Sequence, residues 1–197
     1  MQRRRTRLAV LHELQTEWDQ AIAEGTSRLT QIANALQKET YADGESWGVL
    51  AEATGLHTEL RHKLQREAHF VQRNLSVLID RLAEVVARMR HLCGYEAMPS
   101  IEIVQVDPDP SATLSTFQSE AYVRELVHMY EAELLAKTLL VTDVLDCAGH
   151  NAALLYVASW QMQPFVSKAR VAEITALLTL DANPKKLAPS ASHKLVR

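Results

Sequence analysis

The stretch VQRNLSVLIDRLAEVVARMRHL, residues 71–92, decides the fold. Val71, Leu75, Leu78, Leu82, Val85, Met89 and Leu92 alternate four- and three-residue steps, the heptad spacing that aligns apolar side chains along one seam of a helix. Leu56, Leu60 and Leu64 carry the seam upstream, so a helix starting near Ser46 or a little later is expected to run to a stop at Gly94. A seam of that length needs a partner of similar length.

The N-terminal segment supplies one. Leu8, Leu11, Leu14, Trp18, Ile22, Gly25, Leu29, Ile32 and Leu36 recur at helical steps and predict a first helix ending near Tyr41, with a turn at Asp43-Gly44. Gly25 lies on that apolar stripe. Glycine costs about 1 kcal/mol against alanine in a helix interior, so its place on the stripe predicts a bulky group packed over it. Two long helices joined by a short turn predict an antiparallel, coiled-coil-like hairpin over residues 8–93.

Pro99, Pro108 and Pro110 then keep residues 94–114 out of helix, with Ile101–Val106 as an extended segment packed on the bundle. Ser115 and Gln118 have the spacing of a capping box and open a third helix, whose stripe is Val123, Leu126, Tyr130, Leu134, Val141 and Val144 or Leu145, ending at Gly149. Asn151 is placed as the cap of a fourth helix running to Met162, broken by Pro164, and a fifth spans about Ser167–Leu180. The expectation is an all-α chain. Residues 8–182 form one domain, a long hairpin packed with a C-terminal helical bundle, between a basic tail at 1–7 and a disordered basic tail at 183–197.

Composition agrees with this class. The 197 residues are 47% hydrophobic and 23% charged, with 6% aromatics and only six glycines and six prolines, a balance that favours helices around a substantial core. No run of apolar residues is long enough to span a membrane, and the Arg-rich start lacks the apolar core of a signal sequence, so a soluble intracellular protein is expected. Cys93 and Cys147 have no CxxC partner and read as reduced thiols.

Catalytic constellations are not found. His57, His62 and His69 are spaced by five and seven, not the three or four that brings two ligands onto one face of a helix. There is no HExxH, GxSxG or glycine-rich phosphate loop. Glu52, Glu59, Glu67, Glu131 and Glu133 are read as solvated carboxylates, and His128 as a structural histidine beside the core. No catalytic residue, cofactor or metal is expected.

What stands out is a signature in the C-terminal half: Met129-Tyr130-x2-Glu133-Leu134-Leu135-x-Lys137, then Trp160-x2-Gln163-Pro164-Phe165-Val166. A Trp near a helix end, then Pro and an aromatic, makes a corner with large rings on both sides. Two readings stand: a corner docking the fifth helix on the third, or a partner hot spot.

The signature resembles the C-terminal region of the cyclin-dependent kinase 2-interacting protein (CINP) family. Trp18-x6-Gly25-x6-Ile32-Ala33-Asn34 matches that family's N-terminal helix, so the resemblance covers roughly residues 10–180. The linker near 95–115 and the termini depart from it. The resemblance implies a non-enzymatic adaptor of DNA replication and checkpoint signalling. It also implies a subunit of an AAA-type ATPase assembly, with a second small helical subunit, tied to large ribosomal subunit maturation. ATP hydrolysis would belong to the partners, and the localisation would be nuclear and cytoplasmic.

None of the six prolines follows Ser or Thr, so contact with a cyclin-dependent kinase or cyclin would be docking, for which Lys185-Lys186-Leu187 fits a loose basic-x-Leu pattern. Leu64, Val71, Leu75, Leu78 and Leu82 of the seam, with Trp160, Gln163, Pro164 and Phe165 of the corner, are the expected partner contacts. The alternative is a nucleic-acid-associated helical protein using Arg3, Arg4, Arg5 and Arg7. A third reading, a carboxylate-and-histidine enzyme bundle, requires a metal.

Overall fold

The structure, a computed structural model, describes residues 2–42, 47–93, 114–147 and 149–182. The expectations for Asp43-Gly44, the stop at Gly94, the segment Ile101–Val106 and the tail with Lys185-Lys186-Leu187 lie outside the described residues.

The chain is all-α, with no strand among the described residues. Helix α1 spans Gln2–Tyr41, α2 Leu56–Leu92, α3 Thr116–Asp143, α4 His150–Met162 and α5 Lys168–Ala182. Ion pairs set the register of the hairpin. Glu17 meets Arg88 at 2.7 Å, Glu24 meets Arg81 at 3.7 Å and Glu39 meets Arg61 at 3.8 Å, so one number falls as the other rises and α1 and α2 are antiparallel. Between them the seam and the stripe close on each other. Leu14, Trp18, Leu29 and Ile32 from α1, and Leu75, Leu82 and Met89 from α2, are almost wholly buried in one cluster. Each such side chain contributes about 1.5–3 kcal/mol of transfer free energy.

Helix α3 packs on α2, and α4 and α5 follow each other along α1, so two short helices share the fourth column of an up-down-up-down bundle. The contacts along α1 run His150 to Ala33, Trp160 to Ile22, Gln163 to Trp18 and Asp181 to Arg4, a continuous antiparallel path across the break.

Several boundaries differ from the sequence reading. Helix α2 starts at Leu56 because Gly48 and Gly55 hold φ of +53° and +81°, the left-handed region that suits glycine and interrupts a helix. The capping box forms: Gln118 N donates to Ser115 Oγ at 3.1 Å and Ser115 N donates to Gln118 Oε1 at 3.0 Å. Helix α3 stops at Asp143, short of Gly149, and Gly149 rather than Asn151 takes the N-cap position of α4.

The largest correction concerns the tail expected at 1–7, since residues 2–7 belong to the first helix. Helix α1 is already formed at Gln2, and Arg4 Nη1 lies 2.8 Å from both carboxylate oxygens of the buried Asp181. Arg5 Nε donates to the Ala182 carbonyl at 3.1 Å, and Arg7 donates to the Leu92 carbonyl. These carbonyls end α5 and α2, where orphan acceptors and the negative pole of the helix favour cations. Leu114 N also donates to Asp181 Oδ1, at 3.1 Å, so one carboxylate holds the first helix and the approach to α3 together. Its partners are too distant in sequence for local pattern to reveal.

Candidate functional site

Tyr130, Glu133 and Lys137 occupy successive turns of one face of α3, and that face points inward. Glu133 and Lys137 are 0% and 1% exposed and form an ion pair four residues apart. Neither charge is left to the pair alone. Lys137 Nζ donates to the Trp160 carbonyl at 2.7 Å and to the Ser159 carbonyl at 3.3 Å, while Glu133 Oε2 accepts the Phe165 N–H at 2.9 Å.

The backbone groups so engaged explain the arrangement. Pro164 has no N–H to continue α4, and Gln163 adopts φ +50°, so the last carbonyls of α4 and the first N–H after the break have no helical partner. Lysine takes the carbonyls and glutamate takes the N–H. The ion pair is thus a clamp across the α4–α5 corner. Lys137 Nζ also lies 5.1 Å from the Trp160 ring centroid, a cation–π contact.

The corner is fastened to α1 by its two indoles. Trp160 Nε1 donates to the Ile22 carbonyl at 2.9 Å, and its ring lies over Gly25 so closely that a Cβ there would overlap ring carbons, with Nε1 2.8 Å away. This is the close approach that Gly25 predicts. From the other side Trp18 Nε1 donates to Gln163 Oε1 at 2.7 Å, and Trp18 meets Tyr130 edge to face at 5.0 Å between centroids. The signature of the C-terminal half and the Trp18–Gly25 anchor therefore form one buried polar knot.

Burial lowers the Lys137 ammonium from the usual lysine value, with Glu133 opposing the change. A lysine of that kind can act as a nucleophile when substrate reaches it. Here it is enclosed and all its polar neighbours are backbone or Glu133, so the arrangement fixes structure. Beside the knot, a cleft of about 850 Å³ between α1 and α5 is lined by Gln15, Asp19, Tyr130, Gln163, Lys168 and Thr175. Burial raises the Asp19 carboxyl, which Lys168 partly offsets, and desolvation, with the Asp19 charge, pushes the Tyr130 phenol up to about 12.

The expected partner contacts divide sharply. Leu64, Val71, Leu75, Leu78 and Leu82 are all buried, none above 6% exposed, because the stripe of α1 covers them; Trp160 and Gln163 are buried in the knot. A partner meeting the closed bundle does not reach these seven. Pro164 is exposed and Phe165 is 53% exposed, so the corner docks on α1 through its tryptophan and shows its phenylalanine to solvent.

Glu133, read as solvated, is the main site residue that sequence reasoning missed. The available signal was its spacing: Tyr130, Glu133, Lys137, Val141 and Val144 form a continuous stripe on the core side. His128, read as structural, is exposed and pairs with Glu131 at 3.0 Å.

His57, His62 and His69 are exposed, and no group of three His, Cys, Asp or Glu among the described residues is arranged to hold a metal ion. Cys93 and Cys147 are free, and burial raises both thiols. Among the described residues, no helix is long and apolar enough to cross a membrane. No protein-family profile matches the chain, and no curated protein matches it.

Proposed function

We propose that this chain is a non-enzymatic adaptor subunit of the CINP kind. It would work in an AAA-type ATPase assembly with a second small helical subunit, in large ribosomal subunit maturation and in DNA replication and checkpoint signalling, in nucleus and cytoplasm. One observation supports the reading above others: the residues that carry the resemblance come from three separate segments and meet in a single knot. Residues matched by chance have no reason to interlock. Trp18, Gly25, Glu133, Lys137, Trp160 and Gln163 instead depend on one another, as the determinants of a shared fold do.

A shared fold leaves the contacts to the surface. With the seam consumed internally, the adaptor would present the outer side of α3 and the corner, where Leu135, Leu139, Met162 and Phe165 are each more than half exposed. The two charges of α3 between residues 132 and 142 are Glu133 and Lys137, both buried, so this outer side is uncharged over three turns. Exposed apolar patches of this kind mark association sites. The kinase connection would be a docking contact. ATP turnover would come from the partners.

Replacing Leu135 and Leu139 by Asp tests the proposal, since both project into solvent and circular dichroism should keep its helical signal. Affinity purification with mass spectrometry from the native host should recover AAA-type ATPase subunits with the parent chain and lose them with the variant. Purification of the parent chain without any such ATPase would sink the reading. Of the arginines in the nucleic-acid alternative, Arg4, Arg5 and Arg7 already make contacts within the fold, to Asp181, Ala182 and Leu92.

A further inference from the structure

The outward face of α2 is unlike the rest of the surface. Lys63, Arg66, Phe70, Arg73 and Val77 fall within an arc of about 80° at helical pitch, on the side turned away from the buried seam. All five are exposed, Phe70 at 58% and Val77 at 65%. Elsewhere on the hairpin the arginines are paired: Arg28 and Arg81 with Glu24, Arg88 with Glu17, Arg61 with Glu39. Lys63, Arg66 and Arg73 have no carboxylate partner among the described residues. His62 and His69 flank the same strip, Glu59 and Asp80 stand at its two ends, and Glu67 lines the groove with α1 together with one side of Phe70.

The result is a strip about 20 Å long in which three cations outside any close ion pair accompany two large apolar side chains one heptad apart. Apolar groups seven residues apart, with charges beside them, form the pattern by which one helix receives another: the apolar pair sets register and the flanking charges choose the partner. A nucleic-acid backbone would be served by the cations alone and gains nothing from an exposed valine, and the chain is acidic overall, with net charge -3. We propose that the Lys63–Val77 strip of α2 is a docking surface for an acidic amphipathic helix of a partner protein. That helix would place apolar residues on Phe70 and Val77 and carboxylates against Lys63, Arg66 and Arg73. The inference rests on the adaptor reading and names a second surface for it, separate from the α3 face.

A synthetic probe decides the matter without the cellular partners, so its outcome is independent of whether ATPase subunits co-purify. The probe is a fluorescein-labelled helical peptide of three heptads with Leu at the core positions and Glu beside them, titrated with the full chain by anisotropy. Binding should weaken as salt rises, and should fall about tenfold or more in Phe70→Ser and in Arg66→Glu/Arg73→Glu, both with unchanged circular dichroism. The charge-reversed variant should instead bind the same peptide with Lys in place of Glu. The proposal is overturned if the Glu peptide does not bind, if either variant binds it as the parent does, if the Lys peptide fails to rescue, or if single-stranded RNA binds this strip more tightly.

Discussion

The α1–α2 seam and the α4–α5 corner both lie at the centre of the bundle, yet they hold it together by opposite means. The seam is repetitive and apolar: Leu75, Leu78 and Leu82 could each be another aliphatic residue without changing what the seam does. The corner is singular. Each of its polar groups has specific partners, set by a proline that removes an N–H and a glycine that admits an indole. A repetitive contact makes two helices associate, whereas an addressed one states where along the helix they stop.

The difference can be broken open by substitution. Lys137→Ala leaves Glu133 charged in a dry interior and orphans the carbonyls of α4, and is expected to cost about 3–5 kcal/mol in chemical denaturation. Replacing both members, Glu133→Leu with Lys137→Met, should recover much of that loss while leaving the Phe165 N–H unpaired. Leu75→Ala in the seam should cost about 2–5 kcal/mol through its cavity, with no comparable rescue by changing a second residue. If the double change at the corner is as damaging as the single one, the ion pair is not the source of the effect.

Gly25→Ala sharpens the contrast at one atom. In a free helix the change is favourable by about 1 kcal/mol, but here the new methyl meets the Trp160 ring and overpacking of that kind costs about 1–3 kcal/mol. A net loss of stability by thermal or urea unfolding is expected, and a gain would mean that the indole moves aside freely. The smallest effect is in alkali. The folded chain holds the Tyr130 proton more tightly than the unfolded chain does, so its stabilisation is complete below pH 10 and is lost as pH climbs toward about 12. Midway through that window the loss is about 1 kcal/mol. Tyr130→Phe should remove this part of the alkaline decline, seen as a flatter stability profile than the parent's.

The seam, the stripe of α1, the capping box at Ser115 and the close approach at Gly25 were all legible in the sequence, because each is a local rule: a period, a spacing, or a residue at odds with its helix. The start of α2 was not, since Gly48 and Gly55 act through backbone angles that no period records. The corner residues were visible as particular, with an internal corner and a partner hot spot both open. Glu133 and Lys137 look like an ordinary exposed pair until the carbonyls of Ser159 and Trp160 and the N–H of Phe165 are brought to them. The arginines of the first turn were misread for the same reason, as Arg4 finds Asp181 only across the whole chain.

That last contact bears on how the protein is made. Helix α1 packs against α2, α4 and α5, and its first turn is pinned by Asp181 and Ala182. Of the five helices it is the first to emerge during synthesis and the last to be satisfied. The hairpin can close early, but the side of α1 that carries Trp18 and Gly25 stays bare until Trp160 and Gln163 arrive. Contacts so distant in sequence slow folding and prolong the exposure of apolar surface. A nascent chain of this design is therefore a natural client for chaperones while its second half is still being translated.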